Sequence, residues 1–295
     1  MSGHLEQEIL EVLVYFDLFS YPLTTLEIWR SIGGAAQYSE VARLLLESER
    51  LKARLVFQDG VWSLRSPLCG GAPPQSGERA RRYRASKYKL DKARRFARLA
   101  LRIPFVRAIY ACNSLGFLNA RSESDIDLFI TIRRGRIWSA RFFLILLAKC
   151  FGRPTSAHAK DGLCLSFFAA EGAQMRRAAL PGGGDVYFEY WLKNLLPLTH
   201  PHPAFGHPLP RGSKTGRASA GPGEGRVRGK RSGGGDILEK LLRWVQMNIM
   251  PAHLREMANK GKGVVMNEEF LKFHDHDKRE YFKKEYAARL AAVGL

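Results

Sequence analysis

The stretch Asn113-Ser114-Leu115-Gly116-Phe117-Leu118-Asn119-Ala120-Arg121-Ser122-Glu123-Ser124-Asp125-Ile126-Asp127-Leu128-Phe129 decides the fold. A turn of small residues follows the apolar run Val106 to Ala111, and the chain then returns through Asp-x-Asp into a β-branched run ending at Ile132. Both flanking runs read as strands. Side chains two apart on a strand point to one face, so Asp125 and Asp127 are expected side by side. Paired carboxylates suit a hard divalent cation, Mg²⁺ or Mn²⁺, which also binds phosphate oxygens. Such ions orient and neutralise an in-line phosphoryl displacement. The turn around Ser114 offers backbone N–H groups and a hydroxyl to nucleotide phosphates.

Working outward, Ile137 to Phe151 reads as a helix and Gly162 to Ala169 (GLCLSFFA) as another apolar strand. Residues 185–196 read as an aromatic-rich helix. The expected class is α/β (α+β), with a mixed sheet in a core spanning 78–198.

This arrangement resembles the nucleotidyltransferase superfamily that includes DNA polymerase beta and the small bacterial MNT-type enzymes. The resemblance rests on Ser114, on its spacing to Asp125, and above all on SDIDLFI at 124–130, and it is closest over residues 100–170. YFDLFSYPLT (15–24) and IPFVR (103–107) extend it to a less characterised bacterial branch with an N-terminal winged helix. It implies transfer of a nucleoside monophosphate from an NTP to an acceptor. Asp125 and Asp127 would be the catalytic metal ligands, and Asn113, Ser114 and Ser124 the nucleotide contacts; Arg141, just after the Asp strand, is a further candidate phosphate contact by its position. Two departures stand out. Asn113 replaces the family's glycine, although Asn tolerates left-handed backbone. The family's third carboxylate is missing too: the middle of GLCLSFFA is Ser166, and the nearest acids, Asp161 and Glu171, lie at the strand's ends. The alternative is therefore a catalytically degenerate transferase fold, acting as a nucleic-acid-binding or antitoxin-like regulatory protein.

The N-terminal residues 1–68 read as three helices and a hairpin. Leu5, Ile9, Val12, Leu13 and Phe16 recur at helical spacing, Thr24 and Glu27 form a capping box, Ser39 to Arg50 supply a third helix, and Asp59-Gly60 marks a tight hairpin. This pattern resembles a winged-helix domain. Its third helix carries Glu40, Glu47 and Glu49, which favours packing over DNA contact.

The 295 residues carry a formal charge of +19, with 45% apolar residues. The apolar share excludes wholesale disorder. Most of the charge sits in two stretches. Residues 78–107 hold twelve Lys and Arg against Glu78 and Asp91, and residues 211–231 hold seven against Glu224. The first reads as a long helix with a positive face, suited to RNA, DNA or nucleotide phosphates. Residues 199–235, rich in Pro and then Gly, Ser and Arg, read as a disordered linker. Residues 236–295 read as helical, including a charged helix over FLKFHDHDKREYFKKEYAARL. A protein partner is also compatible with this layout.

Other candidates are weaker. His274-Asp275-His276-Asp277 contains metal-ligand types, but neighbours on a helix diverge. Trp138 is expected in the core. The apolar run Phe142 to Ala148 is too short to cross a bilayer, and MSGHLEQE does not resemble a signal peptide. The four cysteines form no CxxC pair, so reduced thiols in cytoplasm are expected. There is no P-loop, GxGxxG or Ser-His-Asp pattern.

Overall fold

The computed structural model describes residues 2–32, 36–65, 76–151, 160–179, 185–199, 233–261, 263–274 and 277–295. The N-terminal unit contains α1 (Ser2–Asp17), α2 (Thr25–Ile32), α3 (Tyr38–Glu47), the single turn α4 (Glu49–Lys52), and the strands β1 (Leu55–Gln58) and β2 (Val61–Leu64). The expected capping box opens α2: Thr24 N donates to Glu27 Oε2 at 2.7 Å, and Glu27 N to Thr24 Oγ1 at 3.3 Å. The expected third helix is broken at Ser48, whose hydroxyl accepts from Leu51 N and so starts α4. Antiparallel β1 and β2 pair Gln58 with Val61, leaving Asp59 (φ 53°) and Gly60 (φ 81°) as the two-residue turn.

Helix α5 (Ser76–Ala100) crosses to the core, which runs β3 (Val106–Ala111), α6 (Asn113–Gly116), β4 (Ile126–Ile132), α7 (Ile137–Cys150), β5 (Leu163–Ala170), α8 (Val186–Lys193) and β6 (Leu196–Pro197). The chain continues through α9 (Gly233–Ile249), α10 (Ala252–Met257), β7 (Val264–Met266), β8 (Phe270–Phe273) and α11 (Arg279–Ala292). The expected charged helix thus begins only at Arg279. Phe270 to Phe273 form a strand because Phe270 and Leu271 pair with Ala169 and Phe168 of β5, burying both side chains. The linker expected at 199–235 lies largely outside the described residues, but Gly233 to Gly235 belong to α9.

The result is an α+β fold with a mixed six-stranded sheet, ordered β6-β3-β4-β5-β8-β7, and a largely helical C-terminal region. Among the described strands, only β4 and β5 run parallel, with α7 as their crossover. One sheet face packs Ile109, Leu128, Ile130 and Phe168 against Phe96 of α5 and Leu144 of α7. The other packs Tyr110, Phe129 and Phe167 against Phe188 and Trp191 of α8. Glu239 of α9 accepts from Trp138 N and Ser139 N at 2.8 and 3.0 Å, which satisfies two orphan donors at the start of α7.

Helix α11 packs on both α1 and α8 and so returns the chain to its beginning. Arg289 Nη1 donates to Asp17 Oδ2 at 2.8 Å in a buried pair, and Arg54 Nε donates to Val293 O at 2.7 Å. Tyr15 of α1 stacks on Tyr190 of α8, with ring centres 3.9 Å apart. Among the described residues, no helix is long and apolar enough to cross a membrane.

Candidate functional site

Helix α6 follows β3 directly, and β3 pairs antiparallel with β4. Cys112 N donates to Asp127 O at 3.2 Å, so Asn113 and Ser114 enter α6 beside the acid pair. Asn113 has φ 54°, the left-handed conformation that Asn adopts more readily than most residues. Its Oδ1 accepts from Tyr187 of α8 at 3.2 Å. Ser114 is half-buried and borders a cavity of about 20 Å³, enough for one water, among Tyr15, Tyr187 and Tyr190. Ser124 turns its hydroxyl back onto Arg121 O at 3.0 Å.

Asp125 and Asp127 are both half-buried. Alternation sends Ile126, Leu128 and Ile130 into the core under α7, so the two acids face the side of the sheet that carries α8. Directly across the parallel pairing, Asp127 opposes Cys164. The ligand atoms of Asp125, Asp127 and Cys164 all lie within 4.8 Å of one another. Sequence reading put Ser166 at this place. The register explains the shift: Asp127 pairs with Cys164 but Phe129 pairs with Phe167, so β5 bulges by one residue around Ser166. Ser166 Oγ instead lies 2.9 Å from His274 Nε2. Burial, and then the charge of Asp127, push the Cys164 thiol well above its ordinary pKa, so it is protonated at neutral pH without a cation.

The two other acids weighed as a third carboxylate are engaged elsewhere. Asp161 (φ 57°) receives Lys89 Nζ at 2.5 Å. Glu171 receives Arg107 Nε at 3.2 Å, at the far end of β5. Of the four-residue His-Asp segment, His274 reaches Ser166, Asp277 binds Lys272 and Arg279, and residues 275–276 lie outside the described residues.

Lys89 is the residue that sequence reasoning missed. Only 1% exposed, its ammonium donates to Ser122 O (3.2 Å), Ser124 O (2.6 Å) and the Asp161 carboxylate, tying α5 to the loops entering β4 and β5. Its signal was present: Ser86, Lys89, Ala93, Phe96 and Ala100 form one buried stripe along α5. Four more of the twelve cations are spent internally, Arg107 on Glu171 as above. Arg79 forks onto Glu27, Arg82 reaches Asn119 Oδ1, and Lys92 reaches Asp161 O. Arg84, Lys87, Arg94, Arg95 and Arg98 remain on an exposed face beside Tyr83 and Tyr88.

Arg141 is not brought to the acids. It projects from α7, on the helix-covered opposite side of the sheet, donates to Gln246 Oε1 at 2.6 Å and lies over the Phe273 ring. Burial lowers its pKa to about 10. A wider cleft of about 540 Å³ opens among Tyr21, Glu27, Gly60, Arg79 and Tyr83, and none of the sequence-derived site residues lines it.

Compared with protein-family models, with curated proteins and with solved structures, the chain finds no match.

Proposed function

We propose that this chain is a metal-dependent nucleotidyltransferase, moving a nucleoside monophosphate from an NTP to an acceptor. One observation carries the reading: Asp125 and Asp127 share a sheet face with Cys164 beside the β3–α6 turn that holds Asn113 and Ser114. A strand, a turn with Ser114, and a return strand with Asp-x-Asp are what the superfamily resemblance implies. Asp125 and Asp127 hold the divalent cation, which supplies neutralisation of the triphosphate and of the charge developing in the displacement. Asn113, Ser114 and Ser124 border the nucleotide. Arg141 has no part in this assignment, since its guanidinium is committed to Gln246.

In the same reading α1–α3 and the β1–β2 hairpin form a winged helix used for packing. Its α3 presents Glu40 and Glu47, and the unit is held by α11. The exposed cationic stripe of α5, with its tyrosines, favours a nucleic-acid acceptor. That stripe also favours the second reading, a degenerate fold that binds nucleic acid without transfer.

Calorimetry with a non-hydrolysable NTP and Mn²⁺ tests the assignment. Binding is expected in the native chain and lost in Asp125→Ala, with the circular-dichroism spectrum unchanged. Equal binding by both proteins overturns it. Metal-independent binding of an RNA or DNA duplex that weakens steeply with salt, without nucleotide binding, selects the second reading.

A further inference from the structure

We infer that the third ligand of this centre is the Cys164 thiolate, and that the cation it selects is a borderline, sulfur-accepting divalent ion of the Zn²⁺ class in preference to Mg²⁺. The inference rests on the transferase reading for the acid pair and adds the identity of the ion.

The donor set points this way. Among the described residues, one group of His, Cys, Asp or Glu side chains has the spacing to hold an ion, and its members are two carboxylates and a thiol. Zn²⁺ accepts both Cys sulfur and Asp oxygen, and its catalytic sites use three protein ligands with a fourth position open to water or substrate. Mg²⁺ demands near-ideal octahedral oxygen coordination, and thiolates select softer ions.

The backbone supports sulfur as a built-in third donor. The register sets Cys164 opposite Asp127, and the bulge around Ser166 follows immediately. The carboxylates that offer an all-oxygen third ligand are bound elsewhere: Asp161 to Lys89, Glu171 to Arg107, Asp277 to Arg279. Ser166, two residues along the strand, is itself held by His274 at 2.9 Å. As the sulfur–metal bond forms, the S–H bond breaks and its proton passes to solvent. No oxidation state changes.

Co²⁺, a coloured stand-in for Zn²⁺, tests this in the full chain. The expected result is one Co²⁺ per chain with near-ultraviolet thiolate-to-metal charge-transfer absorption, displaced by Zn²⁺ but not by excess Mg²⁺. Cys164→Ala loses the band although Cys69, Cys112 and Cys150 remain. Its Zn²⁺ affinity falls by more than the roughly 10–100-fold that outer-shell changes cost. Cys164→Asp, which restores an all-oxygen set, also loses the band and gains Mg²⁺ binding. An identical Co²⁺ spectrum in the native chain and Cys164→Ala overturns the inference, as does displacement of Co²⁺ by equal Mg²⁺. If Mg²⁺ binding that needs Asp125 and Asp127 accompanies that result, the transferase reading stands alone. If the thiolate band appears but no nucleotide binds, the metal inference stands and the transferase reading falls.

Discussion

Asp127 and Cys164 oppose one another across the parallel β4–β5 pair. The neighbouring carboxylate and burial keep that thiol protonated and a poor nucleophile. Alkylation with iodoacetamide at neutral pH is therefore expected to modify exposed Cys150 well before Cys164, with the difference vanishing in denaturant. Peptide mass spectrometry reads both sites. Equal rates in the folded chain contradict the described burial.

Lys89 holds together the loops that deliver Asp125 and start β5. Lys89→Met removes its charge, its pair with Asp161 and the donors to Ser122 O and Ser124 O. Breaking a buried pair from one side costs about 3–5 kcal/mol, and the lower figure applies because Asp161 is partly in contact with water. Urea unfolding should show that loss, with part of it regained in Lys89→Met/Asp161→Asn. A loss under about 1 kcal/mol, the worth of an exposed pair, contradicts the role.

Gly116 closes α6 against the end of α8. A Cβ there would run into Asn194 O, a backbone atom that cannot swing aside. Gly116→Ala is expected to cost about 1–3 kcal/mol, as overpacking does, and to lower the melting temperature. Unchanged melting means that α6 and α8 are not in contact as described.

Asp277 contributes to acid stability. Burial alone raises its pKa, but hydrogen bonds from Arg279 and the charge of Lys272 outweigh that and hold it well below the usual carboxylate value. The unfolded chain therefore takes up this proton first, near pH 4. The stabilisation is fully present above that pH and is lost progressively as pH falls below it towards the lower folded-state value. Asp277→Asn should be less stable than the native chain at pH 7, with the gap narrowing below about pH 4. A gap independent of pH contradicts the linkage.

How much of this was legible depended on whether a feature was local. Val106 to Ala111 is a strand as read, Asp59-Gly60 is a hairpin turn, and Thr24 caps through Glu27, since each is set by neighbours in sequence. Strand register is set by tertiary pairing, so the middle of GLCLSFFA, Ser166, does not lie opposite Asp127, whereas Cys164 does. Phe270 to Phe273 is a strand only because β5 offers it an edge far away in sequence, and its charged surroundings read as helix. Lys89 is one of twelve cations in residues 78–107, and net charge does not distinguish the buried face of α5 from the exposed one. Arg141 follows Asp127 closely in sequence, yet α7 carries it across the sheet.

The most direct test of the central claim is label transfer from each α-labelled NTP to cellular RNA, DNA and protein, with Mg²⁺, Mn²⁺ or Zn²⁺ present. An Asp125→Asn/Asp127→Asn variant runs alongside. Label that requires both carboxylates and resides in one acceptor class is expected. No label above the variant, from native chain shown to be folded, contradicts it.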